Sequence, residues 1–364
     1  MSSLGEEGVG AALIDVLGYV GRRKSMRPLG LIAMPFVRHM SLGTLARLSG
    51  RRICIPSAGY PAIALTGTNV CDNLRDGKLM YETLATAIDT FGLEADGTVS
   101  DLTIEPEACG CRVRLPDADT PCVLDHPFTS ETDVAELKIP DPLKQPRMLA
   151  MIDAVSRLSN RFTLPTVAGG SGPFTLAAEL LGASDAAMFT ITEKDFMHRL
   201  MRYCTDVCVA YLTALRDAGA EIVLIGEPTA SILSPAAYRE FSGHYTAELI
   251  SAVGRPAILH ICGDAGHLLE AMCETGAQGL SLDSAVDLPT AAGRVPGNVV
   301  LIGNLDTVSV LLEGTPELVR EKTADLLESM RPYPNYVVSS GCDLSYATPV
   351  ENIVAMLETV REFS

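Results

Sequence analysis

The chain contains no tryptophan, and aromatic residues make up only 5% of its 364 positions. Surfaces that read nucleobases need stacking platforms and clustered Lys and Arg. Net charge is −17 and the isoelectric point is near 4.8, and the compact basic groups are Arg22-Arg23-Lys24 and Arg51-Arg52. A solvated helix face or turn accounts for each, so no nucleic-acid partner is expected. No apolar stretch reaches the roughly 18 residues of a membrane span. Met1–Gly30 lacks the basic start, apolar run and small-residue cleavage site of a signal peptide. The expectation is a cytoplasmic protein without a membrane partner. Ten cysteines without a compact framework fit a reducing compartment, most as small buried hydrophobes and a few as ligands.

What is present is alternation. Short apolar runs recur near residues 30, 98, 167, 223, 259, 281, 301 and 339, mostly separated by segments of helical spacing. Leu29–Met34 reads as the first strand and Ala95–Asp101 as the second. Helices are expected over Tyr81–Phe91, Met148–Leu158, Phe196–Ala218 and Pro235–Val253, the last opened by a Ser234-Pro235 cap. Eight parallel strands, each covered by a helix, are most simply closed into an eight-stranded (β/α) TIM barrel, an α/β fold with no exposed edge. The expectation is one domain over 1–364, with an N-terminal helical cap (residues 1–25) across the barrel bottom and a short antiparallel excursion at 102–134. A doubly wound open sheet is the competing arrangement, but no Gly-x-Gly-x-x-Gly turn follows any strand.

In a barrel, the carboxyl ends of the strands form the working rim. Those ends carry Asp101, Glu227, His260 with Cys262, Asp283, Asn304 with Asp306, and Cys342. His260 and Cys262 lie two apart at the end of an apolar run, so strand periodicity points both the same way. If Cys342 ends its strand on the same rim, the three can share a zinc ion and leave its fourth position open. Two thiolates and an imidazole favour zinc over magnesium or calcium. The alternative is a metal-free binding barrel in which His260 makes a core hydrogen bond and the cysteines pack.

A zinc so held can lower the pKa of a substrate thiol or assist an oxygen leaving group. Glu227 is expected as the displaceable fourth ligand or general acid/base, its other reading being a cap on Pro228-Thr229. Asp283 is expected to hold the imidazole in one tautomer, and Asp101 to act as a catalytic acid at its strand end. Asn304, Asp306 and Gly172 are assigned to cofactor contact. Gly172 belongs to Gly169-Gly-Ser-Gly-Pro-Phe174, whose backbone N–H groups at a helix start suit an anion, although a tight turn explains them equally well. His39 is a pocket candidate, while His126, His198, His244 and His267 lack such a setting.

Several segments, in order, resemble the uroporphyrinogen decarboxylase superfamily, and within it the zinc-dependent corrinoid methyltransferases. They are Asp101-Leu-Thr-Ile-Glu-Pro-Glu-Ala-Cys-Gly110, Gly172-Pro-Phe-Thr-Leu176, Gly226-Glu-Pro-Thr-Ala230, Leu259-His-Ile-Cys-Gly263, Gly276-Ala-Gln-Gly-Leu-Ser-Leu-Asp283, Gly303-Asn-Leu-Asp306 and Ser340-Gly-Cys342. The resemblance implies a β/α barrel and a zinc held by a His-x-Cys pair and a distant Cys, falling on His260, Cys262 and Cys342. It further implies a small methyl donor, such as a methoxylated aromatic, or a thiol acceptor, and a corrinoid (cobalamin) delivered by a separate corrinoid protein. The chain has no Asp-x-His-x-x-Gly cobalamin-binding run of its own. The decarboxylase branch resembles a metal-free enzyme that holds porphyrin carboxylates with an Arg-Gln-Ala-Gly-Arg run. Ile32–His39 carries no such run, so porphyrinogen decarboxylation is not expected. A homodimer is among the expected assemblies.

Overall fold

The computed structural model describes Leu42, residues 51–161 and residues 164–363. Seven strands form one parallel sheet: β1 (Asp96–Gly97), β4 (Thr166–Ser171), β5 (Ile222–Gly226), β6 (Ala257–Ile261), β7 (Gly279–Leu282), β8 (Val300–Leu305) and β9 (Tyr336–Ser340), neighbours in that order. Beyond β9, Cys54 makes a parallel bridge to Val338. The Ile55 N–H donates to the Val338 carbonyl and the Val338 N–H to that of Ile53, each at 2.9 Å. The Cys54 N–H in turn donates to Glu94, just before β1 (3.1 Å). This segment takes the eighth place of a β/α barrel.

The expected first strand, Leu29–Met34, lies outside the described residues, as do the cap over residues 1–25 and His39. The barrel position assigned to that strand is held by Ile53-Cys54-Ile55, a run too short to stand out against the longer apolar stretch upstream. Leu42 sits at the bottom of the barrel, its N–H donating to Gln278 just before β7 (3.2 Å).

Alternation along the strands builds two cores. Ile222 and Ile258, with Val300, Ile302 and Val337, pack inside the ring with Ile53, Ile55, Val167 and Leu224. The intervening residues, among them Val223, Leu259, Leu301 and Val338, face the helices and join the larger outer core. Helix Gly77–Phe91 begins where Asp76 accepts the Lys78 and Leu79 N–H groups, and it ends at Gly92, whose φ of 62° suits a residue without a Cβ. Between residues 102 and 134, β2 (Val113–Arg114) and β3 (Cys122–Val123) form an antiparallel pair. Ile104–Ala108 is helical, and the Cys109 N–H closes that turn on the Glu105 carbonyl, so Cys109 belongs to a helix end and not to a strand. Among the described residues, no single helix is long and apolar enough to cross a membrane.

One buried ion pair ties the end of the β1 segment to helix Pro146–Arg161. Arg147 meets the Asp101 carboxylate and also reaches Glu107 (3.0 Å), while Asp101 accepts from the N–H and hydroxyl of Thr103 (2.9 and 2.7 Å). Replacing Arg147 by Met strands a buried carboxylate, which should cost about 3–5 kcal/mol. The check is the urea midpoint, and adding Asp101→Asn should recover a large part of the loss.

Candidate metal centre

β6 turns Ile258 and His260 into the barrel, and Cys262 continues the same alternation just past the strand end. The distances are 2.9 Å from His260 Nε2 to Cys262 Sγ, 3.1 Å between the sulfurs of Cys262 and Cys342, and 3.6 Å from Cys342 Sγ to His260 Nε2. These are ligand atoms from two strand ends separated by 80 positions in the chain. Among the described residues, this is the group of His, Cys and carboxylate side chains whose donor atoms all lie within 4.8 Å of one another. Each is partly exposed.

The imidazole is held from behind. In the β6–β7 register His260 pairs with Ser281, and His260 Nδ1 lies 3.2 Å from the Ser281 carbonyl and 3.0 Å from its hydroxyl. A carbonyl only accepts, so the proton belongs on Nδ1 and the Nε2 lone pair faces the sulfurs. Cys342 is pulled down to about 5, first by the hydrogen bond from Cys262 and then by His260, against burial. That same hydrogen bond, joined by burial, pushes Cys262 up. Burial pushes His260 down, but Cys342 and Asp343 outweigh it and the net direction is up. An imidazole nitrogen and two sulfurs this close are donors from which a bound cation would displace protons.

The donor set fits zinc. Bonds of about 2.0–2.3 Å in a tetrahedron separate ligand atoms by roughly 3.5–3.8 Å; the edge from Cys342 to His260 already has that length, and the two edges at Cys262 would open by about 0.6–0.7 Å.

The other expected site residues are placed differently. Glu227 is buried and is not in that donor group. Its carboxylate accepts the Phe174 and Thr175 N–H groups at the start of helix Pro173–Leu181 (3.0 and 2.7 Å) and hydroxyls of Ser242 and Thr246. These donors occupy both of its oxygens, and burial raises its pKa despite them. The anion expected near Gly172 is this carboxylate of the protein itself, and a Cβ at Gly172 would collide with the Glu227 side chain. Asp283 turns to the Ala285 N–H (3.0 Å), so Ser281, and not Asp283, fixes the imidazole. Asn304 donates to the carbonyls of Asp283 and Val286 (2.8 and 2.7 Å), and Asp306 caps the helical turn Thr307–Leu312 through the Val308 and Ser309 N–H groups. Both brace the rim loops. Asp101 reaches the cavity wall, but Arg147 holds its carboxylate.

Sequence reading passed over Ser281, Asp343 and Ser57. Ser281 is a polar residue in register with His260, and that position is its signal. Asp343 follows Cys342 and bonds the Ser57 hydroxyl, a pairing across 286 positions with no local trace. Below the triad lies a cavity of about 290 Å³, walled by Ile55, Val167, Leu224, Ile258, Ile302 and Val337, with His260, Cys342 and Asp343 at one end.

Ser281→Ala should lower zinc affinity about 10–100-fold, measured by chelator competition, without changing the number of sites. Glu227→Gln should keep the wild-type zinc content while losing about 1–3 kcal/mol of unfolding free energy. Loss of metal in that variant would return Glu227 to the ligand set.

The uroporphyrinogen decarboxylase (URO-D) family pattern matches residues 59–363. A methylcobamide:CoM methyltransferase of Methanosarcina acetivorans is 32% identical over 291 residues, covering 77% of this chain and 84% of that protein. A uroporphyrinogen decarboxylase of Alkalilimnicola ehrlichii is 31% identical over 302 residues, covering 79% and 81%. The solved structure of a methyltransferase from Methanosarcina mazei superposes with a TM-score of 0.80 over 89% of this chain and 99% of its own, at 24% identity. Two differently named activities thus stand at nearly equal identity, and overall likeness does not choose between them. The barrel and the matched span agree, and the chain belongs to the uroporphyrinogen decarboxylase family.

Proposed function

We propose that this chain is a zinc-dependent methyltransferase that moves a methyl group between a small substrate and the cobalt of a corrinoid carried on a separate protein. The observation that carries this reading is the convergence of His260, Cys262 and Cys342 at one end of an apolar cavity. Porphyrinogen decarboxylation offers no use for two sulfurs and an imidazole in contact, and the chain lacks the basic run expected to hold porphyrin carboxylates.

Cys262, Cys342 and His260 would hold the metal, with Ser281 keeping the ring nitrogen aimed. Zinc bound there would lower the pKa of a substrate thiol or assist an oxygen leaving group. The partly exposed sulfurs leave the rim reachable by a docking corrinoid protein, and the apolar walls keep water from the methyl group. With a thiol acceptor, the sulfur would take the methyl from methylcob(III)amide, cobalt would keep the bonding electron pair as cob(I)amide, and the thiol proton would pass to solvent. With a methyl ether donor such as a methoxylated aromatic, cob(I)amide takes the methyl and the oxygen leaves as phenolate. The site accommodates both directions.

Cys262→Ala and Cys342→Ala should each lose most bound zinc and at least about 100-fold in methyl transfer, followed through the visible spectrum of free methylcobalamin with thiols, or of cob(I)alamin with aryl methyl ethers. Wild-type activity in either variant, or a reconstituted wild-type protein that takes up no zinc, would sink the reading. Decarboxylation of uroporphyrinogen by the same samples would replace it with decarboxylase activity.

A further inference from the structure

Cys342 stands just outside the regular pairing of the sheet. β9 ends at Ser340, which pairs with Leu305 on β8, and the Gly341 N–H still donates to the Leu305 carbonyl (2.8 Å). On the other side the same turn is held by Ser57. The Ser57 N–H donates to the Ser340 hydroxyl (3.1 Å), its hydroxyl donates to the Asp343 carboxylate, and its carbonyl accepts the Leu344 N–H (3.2 Å). One residue thus grips the chain before and after Cys342. The segment leading to Ser57 is itself fixed to β9, with Ile53 and Ile55 bonded to Val338 and the Ile55 carbonyl accepting the Ser339 hydroxyl (2.7 Å). Two of the three Ser57 bonds use its backbone, so the bond to Asp343 is what its side chain adds.

We infer that Ser57, acting through Asp343, is a positioning residue for Cys342: it fixes the turn Ser340–Leu344 so that the Cys342 sulfur stays beside Cys262 and His260. This rests on the metal-centre reading for what the three donors hold, but the placing of one sulfur against the other is measurable without metal. The Ser57 side chain reaches the residue next to Cys342, and the shared backbone carries its effect to the sulfur. Groups that orient metal ligands in this way change metal affinity by about 10–100-fold. The bond needs an acceptor oxygen at position 343 and not a charge, because an asparagine there offers its amide oxygen to the same hydroxyl.

The test compares Ser57→Ala, which deletes the donor, Asp343→Ala, which deletes the acceptor, the two together, and Asp343→Asn, which keeps an acceptor. The first readout is zinc affinity by chelator competition. The second uses zinc-free protein and the azo oxidant diamide, whose N=N bond takes up the two protons and two electrons that Cys262 and Cys342 release as they join in a disulfide. The rate is followed by the mass of the linked peptides. Ser57→Ala and Asp343→Ala should each bind zinc at least about tenfold more weakly and link about tenfold more slowly than wild type. Because both remove one shared bond, the double variant should stay within about threefold of the single ones. Asp343→Asn should stay within about threefold of wild type in both readouts.

A merely structural role for Ser57 would lower the urea midpoint and leave zinc affinity and linking rate unchanged, and that result would overturn the inference. Losses that multiply in the double variant, or an Asp343→Asn protein as impaired as Asp343→Ala, would overturn it too. Should Ser57→Ala fail to fold, the contrast between Asp343→Ala and Asp343→Asn carries the test. A wild-type protein that takes up no zinc would defeat the metal-centre reading, and the linking rates alone would then decide the placing of Cys342. Zinc binding without methyl transfer would overturn the proposed function and leave this inference standing, since neither readout involves turnover.

Discussion

Parallel pairing around a closed ring is the constraint on which the site depends. Every strand of the sheet runs the same way, so every carboxyl end arrives at one rim. The register is specific: His260 lies opposite Ser281 on β7, and Ser281 opposite Ile302 on β8. Ile302 then faces Val337 on β9. Cys342 follows that last strand, and two sulfurs 80 positions apart thereby come to 3.1 Å. Three titratable groups this close suit shared protons or a bound cation.

The acids around the rim divide by partner. Glu227 is fully buried and satisfied by a helix start, so it organises the approach of β4 to β5 instead of reacting. Asp101 is likewise spent on Arg147, where the pair joins the barrel to an outer helix. Glu105, buried between them, accepts the Ser171 N–H (2.7 Å), and burial raises it to about 7. These are structural uses of residues that look catalytic in a sequence, because a strand end and a helix start meet at the same rim and both need anions. Among the described residues, Asp343 differs in lining the cavity and bonding the Ser57 hydroxyl.

The barrel interior carries the same division of labour from bottom to rim. Branched aliphatic side chains line the inside at the level of the paired strands, and His260, Ser281, Cys342 and Asp343 stand at the rim end. For the proposed methyl transfer, this gradient would supply a dry approach beside the His260, Cys262 and Cys342 donors. The rim loops are held by Asn304 and Asp306, whose hydrogen bonds go to backbone rather than to the cavity, so the site is braced by elements that do not touch it.

The sequence by itself determined the alternation of strands and helices, since short apolar runs, buried on both faces in β5, β6 and β8, recur between segments of helical spacing. It also placed His260 and Cys262 on one face, because two residues on a strand share a side. It did not determine the eighth barrel place, where the three-residue run Ile53-Cys54-Ile55 is marked only by its bridge to Val338. Cys342 is out of phase with the inward Val337 and Ser339 and reaches the triad only because the backbone bends at Gly341 and Cys342, where Gly341 lies too close to Ser284 for a Cβ. The partners of Glu227, His260 and Asp343 were likewise decided by tertiary structure. A carboxylate's role is set by the donor it meets, and those donors come from other strands and loops, so no local pattern encodes them.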